Sequence, residues 1–485
     1  MNYQVVIYIL GWIMDLEAAF MLMPCAVARI YGEKQGFAYL WVALGCALIG
    51  TLIILRKPKN MNFYLKEGFA TVALSWILLS IIGCLPFYIN GEIPSFTDAL
   101  FETISGFTTT GATILSDVES LARCNLFWRS FTHWIGGMGV LVFLLAIVPM
   151  AGGTNMNLMK AESPGPSVGK LVPKVKSTAM ILYVIYIVLT GIEIVLLLIG
   201  KMSFFEAVTT SFGTAGTGGF GIRNDSIMSA SPYLQWVIAI FMVMFGINFN
   251  VYFLIIIGKL KQAFKYEELR AYLGIIFVST AIIFINIYDM IGSAADAIRH
   301  SFFQVGSIMT TTGFSSVDFN LWPETSRTVL VLLMFVGACA GSTGGGIKVS
   351  RFIILIKSFF KEIVSYLHPR SIKKIKVEGK AVEHDVLRAT NVYFITFMLV
   401  FSASVLFISF ENKDLVTNFT AVAATINNIG PGLNAVGPIE NFGGFSDFSK
   451  YVLMFDMLAG RLELFPLLIL FCPSVWKPKR KSKEA

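Results

Sequence analysis

Residues 108–111 read TTTG, and residues 310–313 read TTTG again. Two further tetrapeptides, GTGG at 216–219 and NNIG at 427–430, lie at comparable points of the chain. These side chains hold no acid, base or thiol, so breaking bonds is not their chemistry. They offer neutral oxygens on a backbone that glycine frees from the Cβ penalty at unusual angles. A ring of neutral oxygens can replace the hydration shell of a monovalent cation. The candidate ligands are the last three residues of each segment: Thr109, Thr110 and Gly111; Thr217, Gly218 and Gly219; Thr311, Thr312 and Gly313; Asn428, Ile429 and Gly430.

A second constellation is GACAGSTGGGIK, residues 337–348. Five glycines and a Ser-Thr pair suit a helix poorly, since each glycine costs about 1 kcal/mol against alanine. A kink is the simpler account. The favoured expectation is a non-helical loop formed by Gly341, Ser342, Thr343, Gly344, Gly345 and Gly346, lying in the pore below the glycine segments as a gate. Arg461 stands in an apolar stretch, where a charge at mid-bilayer costs about 2.5–3.5 kcal/mol on insertion scales. Glu463 and Asp456 have the wrong helical spacing to pair with it. It is expected to point at the 341–346 loop and repel cations.

Such groups need elements that hold them at membrane depth. The chain has 485 residues, of which 55% are hydrophobic and 14% charged, and its mean hydropathy is +0.71. A soluble domain carries nearly twice that charge, about 25%, so this is an integral membrane protein. A spanning helix needs about 20 mainly apolar residues, and good candidates are 3–28, 37–55, 68–90, 126–150, 178–200, 233–258, 271–291, 327–357, 390–410 and 450–472. Between them lie shorter apolar segments, 96–107, 203–213, 295–309 and 414–426. These have the length of re-entrant helices. Each starts near an acid (Asp98, Glu206, Asp296, Asp414) and leads to a glycine (Gly111, Gly219, Gly313, Gly430). An acid suits a helix N-terminus. Non-helical backbone at membrane depth must be buried in protein or line a wet cavity.

The expected fold class is therefore all-α and integral to the membrane. Four pseudo-repeats of helix, short helix, glycine loop and helix surround one pore, and two extra helices precede them. The expected boundaries are 1–60 for the extra pair, then 61–165, 166–265, 266–385 and 386–485 for the repeats. Lysine and arginine cluster at every joint between repeats, as at Arg56 and Lys57, Lys170 and Lys174, Lys259 and Lys261, and Lys373 and Lys374, and again in the tail KPKRKSK, residues 477–483. The positive-inside rule makes these joints cytoplasmic, with both termini inside.

The same rule accounts for the net charge of +8 without nucleic acid as a partner. Six cysteines show no metal-ligand spacing and four histidines are scattered. The first apolar run, interrupted by Asp15 and Glu17, is no cleavable signal. GTGGFG at 216–221 fits the GxGxxG pattern but follows no strand. No enzyme constellation is present.

Four stretches in order, HWIGGMGVLV (133–142), GACAGSTGGGIKVSR (337–351), NNIGPGL (427–433) and AGRLELFPLLILF (459–471), give the chain a specific resemblance. It resembles the Trk/Ktr/HKT superfamily of potassium transporters, and within it the membrane subunits of bacterial Trk systems, over essentially its whole length. The resemblance implies a K⁺-selective filter at the glycine segments and an intramembrane loop with a conserved arginine at 341–346 and Arg461. It further implies a homodimer in membrane lipid and a cytosolic TrkA-like ring of nucleotide-binding regulatory subunits. K⁺ would be the transported ion, with no organic cofactor. The expected function is potassium uptake across the cytoplasmic membrane. The alternative is a Na⁺-permeable or Na⁺-coupled carrier of the same superfamily, and a membrane enzyme or sensor is the reading from another class.

Overall fold

The computed structural model of the chain describes residues 1–59, 63–139, 175–369 and 374–476, with no account of the side chains of 175–179. Two antiparallel helices, Tyr3–Tyr31 and Gly36–Leu55, come first. Small residues let them approach closely: a Cβ at Gly36 would overlap that of Ala28. Four long helices then recur along the chain: Leu65–Ile89, Val175–Ile199, Glu267–Ile291 and His384–Ile408. Large apolar side chains such as Phe277, Ile285 and Leu399 stand exposed on them, as a surface facing lipid requires. These are the outer helices.

Each outer helix is followed by a short one: Phe96–Phe107, Phe204–Ala215, Ala294–Met309 and Leu415–Ile426. Their starts are fixed by side-chain caps. Ser95, Ser203 and Ser293 accept from the N–H groups of Asp98, Glu206 and Asp296, and Asp414 accepts from that of Thr417. Three of the four acids thus sit in the first turn as expected. Asp414 is instead the cap itself, because the fourth repeat has no serine there.

The inner helices depart most from expectation. The first, Arg123–Met138, is described only to residue 139, so the second half of the expected 126–150 span lies outside the described residues. The second is broken: Pro232–Phe245 and Phe249–Ile256 meet at 92° across residues 246–248. The expected span 327–357 is two helices, Glu324–Val336 and Val349–Leu367, separated by twelve non-helical residues. The expected span 450–472 is broken too: the helix Asp447–Arg461 ends in a turn, with Glu463 and Leu464 at positive φ of 54° and 68°, before a short helix Phe465–Leu468. Small residues and polar backbone partners at these points stop the chain from being a uniform rod. Among the described residues, six single helices and the bent pair are each long and apolar enough to cross a membrane.

A large core runs from the leading pair into the first, third and fourth repeats, and a second apolar cluster fills the second repeat. Beyond the third inner helix, a two-stranded hairpin pairs Lys376 with Ala381 and Val377 with Lys380.

Candidate ion pathway

The four glycine loops share one backbone. In each, the residue two before the glycine has positive φ: 55° at Thr109, 52° at Thr217, 60° at Thr311 and 56° at Asn428. The glycines follow at 77°, 78°, 85° and 98°. One hydrogen bond also repeats in register. The N–H groups of Thr110, Gly218, Thr312 and Ile429 donate five residues back, to the carbonyls of Ser105, Gly213, Ser307 and Ala424, at 2.8–2.9 Å. Left-handed residues at alternate positions turn successive carbonyls to the same side of the strand.

The loops also close a ring. A Cβ added to Gly111 would overlap the Gly218 carbonyl oxygen, one on Gly219 would overlap that of Thr312, and one on Gly313 would overlap that of Ile429. A Cβ on Gly430 would meet the Thr110 carbonyl at 2.8 Å. Each glycine therefore abuts the residue one step earlier in the next repeat, and the fourth returns to the first. All four glycines line a single outer cavity of about 130 Å³.

The threonine hydroxyls do not all serve alike. That of Thr110 is 2.8 Å from the Thr108 hydroxyl and accepts from Asn428 Nδ2 at 3.0 Å. That of Thr312 is 2.7 Å from the Thr310 hydroxyl. These hydroxyls brace the loops from behind and leave the ring to backbone carbonyls. The Thr109 hydroxyl, by contrast, is buried without a hydrogen-bond partner.

Residues 337–348 lie on the side of the ring away from the outer cavity. Gly345 donates its N–H to the Thr311 hydroxyl at 2.6 Å. A Cβ on Gly344 would meet the Thr310 carbonyl at 2.8 Å, and one on Gly345 would overlap that of Asn427. The break in the second inner helix supplies partners: Phe245 O accepts from the Thr343 hydroxyl at 3.2 Å and Gly246 O from Cys339 N–H at 3.1 Å. The neck of the loop is tied by Lys348 N–H to Val336 O and Val349 N–H to Ala338 O, both at 3.1 Å. Lys348, buried with φ of 82°, also donates its ammonium to the Gly344 carbonyl.

Arg461 reaches this loop. Its guanidinium donates to Thr343 O at 2.9 Å, to Gly137 O at 2.8 Å and to Gly136 O. The two nearby acids are engaged elsewhere: Glu463 pairs with Arg351, and Asp456 accepts from Ser404 at 2.7 Å.

Sequence reasoning missed Glu268. This buried carboxylate in the first turn of the third outer helix accepts from Ala340 N–H at 2.7 Å and Ser350 N–H at 3.1 Å. It therefore holds both flanks of the glycine-rich loop. The available signal was an acid pair, Glu267 and Glu268, opening an apolar span among basic residues. Also missed was Glu102, which accepts from Arg129 Nε at 2.8 Å and from Ile114 N–H at 3.1 Å, fixing the chain just past Gly111. At the outer surface, hydrogen bonding from Thr417 holds the Asp414 carboxyl below its ordinary value.

Four re-entrant helices and four loops around one axis, with a glycine-rich loop packed against them, define a membrane transporter whose pore comes from a single chain. The model of the TrkH family, described as "Cation transport protein", matches residues 39–480, and the chain belongs to that family. It is 37% identical to the Trk system potassium uptake protein TrkH of Salmonella typhimurium, over 98% of this chain and 100% of that one. It is 35% identical to the Trk system potassium uptake protein TrkG of Escherichia coli, over 98% and 99%. The crystal structure of the potassium transporter TrkH from Vibrio parahaemolyticus superposes with a TM-score of 0.88 at 33% identity, covering 98% of this chain and 100% of that one.

Proposed function

We propose that potassium crosses this chain along the axis of the four glycine loops. The chain is a potassium uptake transporter of a Trk system, a multi-pass protein of the inner membrane, and not an enzyme. Its relatives are named for potassium uptake, which gives the Na⁺ alternative no support. K⁺ is the transported ion.

The filter comprises Thr109, Thr110 and Gly111 with their counterparts at 217–219, 311–313 and 428–430. The observation that carries this is the ring closure, each glycine against a carbonyl of the next repeat. A cation on that axis exchanges water for carbonyl oxygens. The short helices aim their C-terminal carbonyls the same way, adding negative potential. Residues 341–346 and Arg461 form the gate: the loop obstructs the path, and the guanidinium adds positive charge where screening is weak. An inward-negative potential drives uptake, since each charge gains about 2.3 kcal/mol per 100 mV.

The finer assembly belongs to the same proposal. The chain divides into repeats near residues 60, 165, 265 and 385. Its termini and basic joints face the cytoplasm, where a ring of nucleotide-binding regulatory subunits docks, and two copies associate in the membrane. Rubidium-soaked crystals test the pathway. Anomalous density between the carbonyls of Thr110, Gly218, Thr312 and Ile429 is expected, and rubidium bound only away from this axis would overturn the assignment.

A further inference from the structure

The second glycine loop has GTG where the first and third have TTT, and backbone geometry accounts for only part of that difference. Gly219 needs its positive φ of 78°. Gly218 is absent from the positive-φ residues, so its backbone would accept a side chain. What forbids one is His133. A Cβ on Gly218 would overlap the imidazole, with Nδ1, Cγ and Cε1 of that one ring as its three nearest atoms. The main chain of His133 likewise closes on the preceding glycine, for a Cβ on Gly216 would overlap the His133 carbonyl oxygen.

The ring is firmly held. His133 is wholly buried in the first inner helix and stacks on Phe220, just past the loop, with centroids 4.3 Å apart and planes at 27°. One turn earlier on the same helix, Arg129 lies 4.1 Å from the Phe220 centroid and donates to Gly221 O at 3.1 Å. Both imidazole nitrogens are buried without a hydrogen-bond partner. The ring therefore contributes volume and stiffness here, not a specific polar bond. In the first and third loops the corresponding residues are Thr110 and Thr312, whose hydroxyls lie against those of Thr108 and Thr310 in their own repeats, with Asn428 of the fourth repeat also donating to Thr110.

We propose that His133 is a specificity-determining positioning residue, a wall supplied in cis by the first repeat that holds the Gly218 carbonyl in the ring and replaces the missing threonine of the second. This rests on the filter reading above. Because Gly111 abuts the Gly218 carbonyl, slack at Gly218 is passed directly to the joint between repeats one and two. A loosened ring accepts the smaller sodium ion more readily.

The test is sodium competition against rubidium uptake in proteoliposomes holding the purified full chain. His133→Ala and Gly218→Thr are each expected to lower rubidium-over-sodium preference about tenfold, and the double variant to recover most of it, because contacting sites fail simple additivity. Gly313→Ser, whose added atoms would meet Ile429 and Pro431 of the fourth repeat and not His133, reports on the filter itself. Selectivity lost in Gly313→Ser but kept in His133→Ala overturns the role of the histidine and leaves the filter standing. Selectivity unchanged in Gly313→Ser removes the filter reading and this inference with it. If His133→Ala alone fails to give monodisperse protein, the double variant decides. Recovery of folded, selective protein supports the size exchange, and a double variant no better than either single one refutes it.

Discussion

Arg461 donates a 2.9 Å hydrogen bond to the carbonyl of Thr343, joining the last residue of the fourth inner helix to the glycine-rich loop of the third. The same guanidinium holds the carbonyls of Gly136 and Gly137 at the end of the first inner helix. One side chain thus ties three repeats together.

Arg461→Ala should raise basal rubidium flux, by about tenfold if a single charge in a poorly screened path sets the barrier. Shortening 341–346 should act in the same direction and leave filter selectivity largely intact. The two changes should be non-additive, because the arginine works through the loop it holds. Flux from both single variants and the combination checks this. Basal flux unchanged in both single variants would make the loop a structural kink.

Glu268→Gln should loosen the loop from its flanks. The carboxylate accepts two backbone N–H groups, from Ala340 and Ser350, and hydrogen bonds to a charged group contribute about 1.5–3 kcal/mol each. Glutamine keeps the shape with one weaker acceptor. The expected outcome is higher basal flux at unchanged rubidium-over-sodium preference, and faster hydrogen exchange at residues 338–350 by mass spectrometry.

Glu102→Ala should be severely destabilising. It leaves Arg129 charged in a buried site, where removing one partner of an ion pair costs about 3–5 kcal/mol. It also frees Ile114 N–H just past the first glycine loop. Thermal unfolding of the detergent-solubilised protein should show a marked fall in melting temperature, larger than for an exposed pair such as Arg223 and Glu206.

Asp414 caps the fourth short helix with a carboxyl held below its ordinary value by Thr417. A depressed carboxyl stabilises the fold fully above the unfolded value of about 3.9, and that contribution fades as pH falls through the folded value. Asp414→Asn keeps a good cap and should lack this acid-dependent loss. Asp414→Ala should lose about 1 kcal/mol at neutral pH. Melting temperatures of the three proteins at about pH 7, and from about pH 5 down to about pH 2 where the loss falls, check both statements.

The short helices were legible in the sequence because their signals are local: an acid or serine cap, an apolar run, then a glycine whose backbone angle demands it. The break at 337–348 was legible for the same reason, since five glycines leave helix unfavourable. The break at 246–248 was not, because only Gly246 and Asn248 mark it, and its stability comes from Cys339 and Thr343 nearly a hundred residues on. The turn after Arg461 depends likewise on distant partners, with Glu463 held by Arg351. Glu268 and His133 act on loops 72 and 85 positions away, and no periodicity in one sequence encodes such pairings. The composition of GTGG at 216–219, odd when read alone, follows once the first inner helix is seen packed on it.

The central claim is that four glycines of one ring select the ion. Gly111, Gly219, Gly313 and Gly430 can each be replaced by serine, and rubidium and sodium permeability measured in proteoliposomes at set voltages. Positive φ and the facing carbonyl make each substitution disturb the ring, so all four variants should lose selectivity for rubidium over sodium. Permeability ratios that stay at the unsubstituted value in Gly111→Ser and Gly313→Ser would contradict the account.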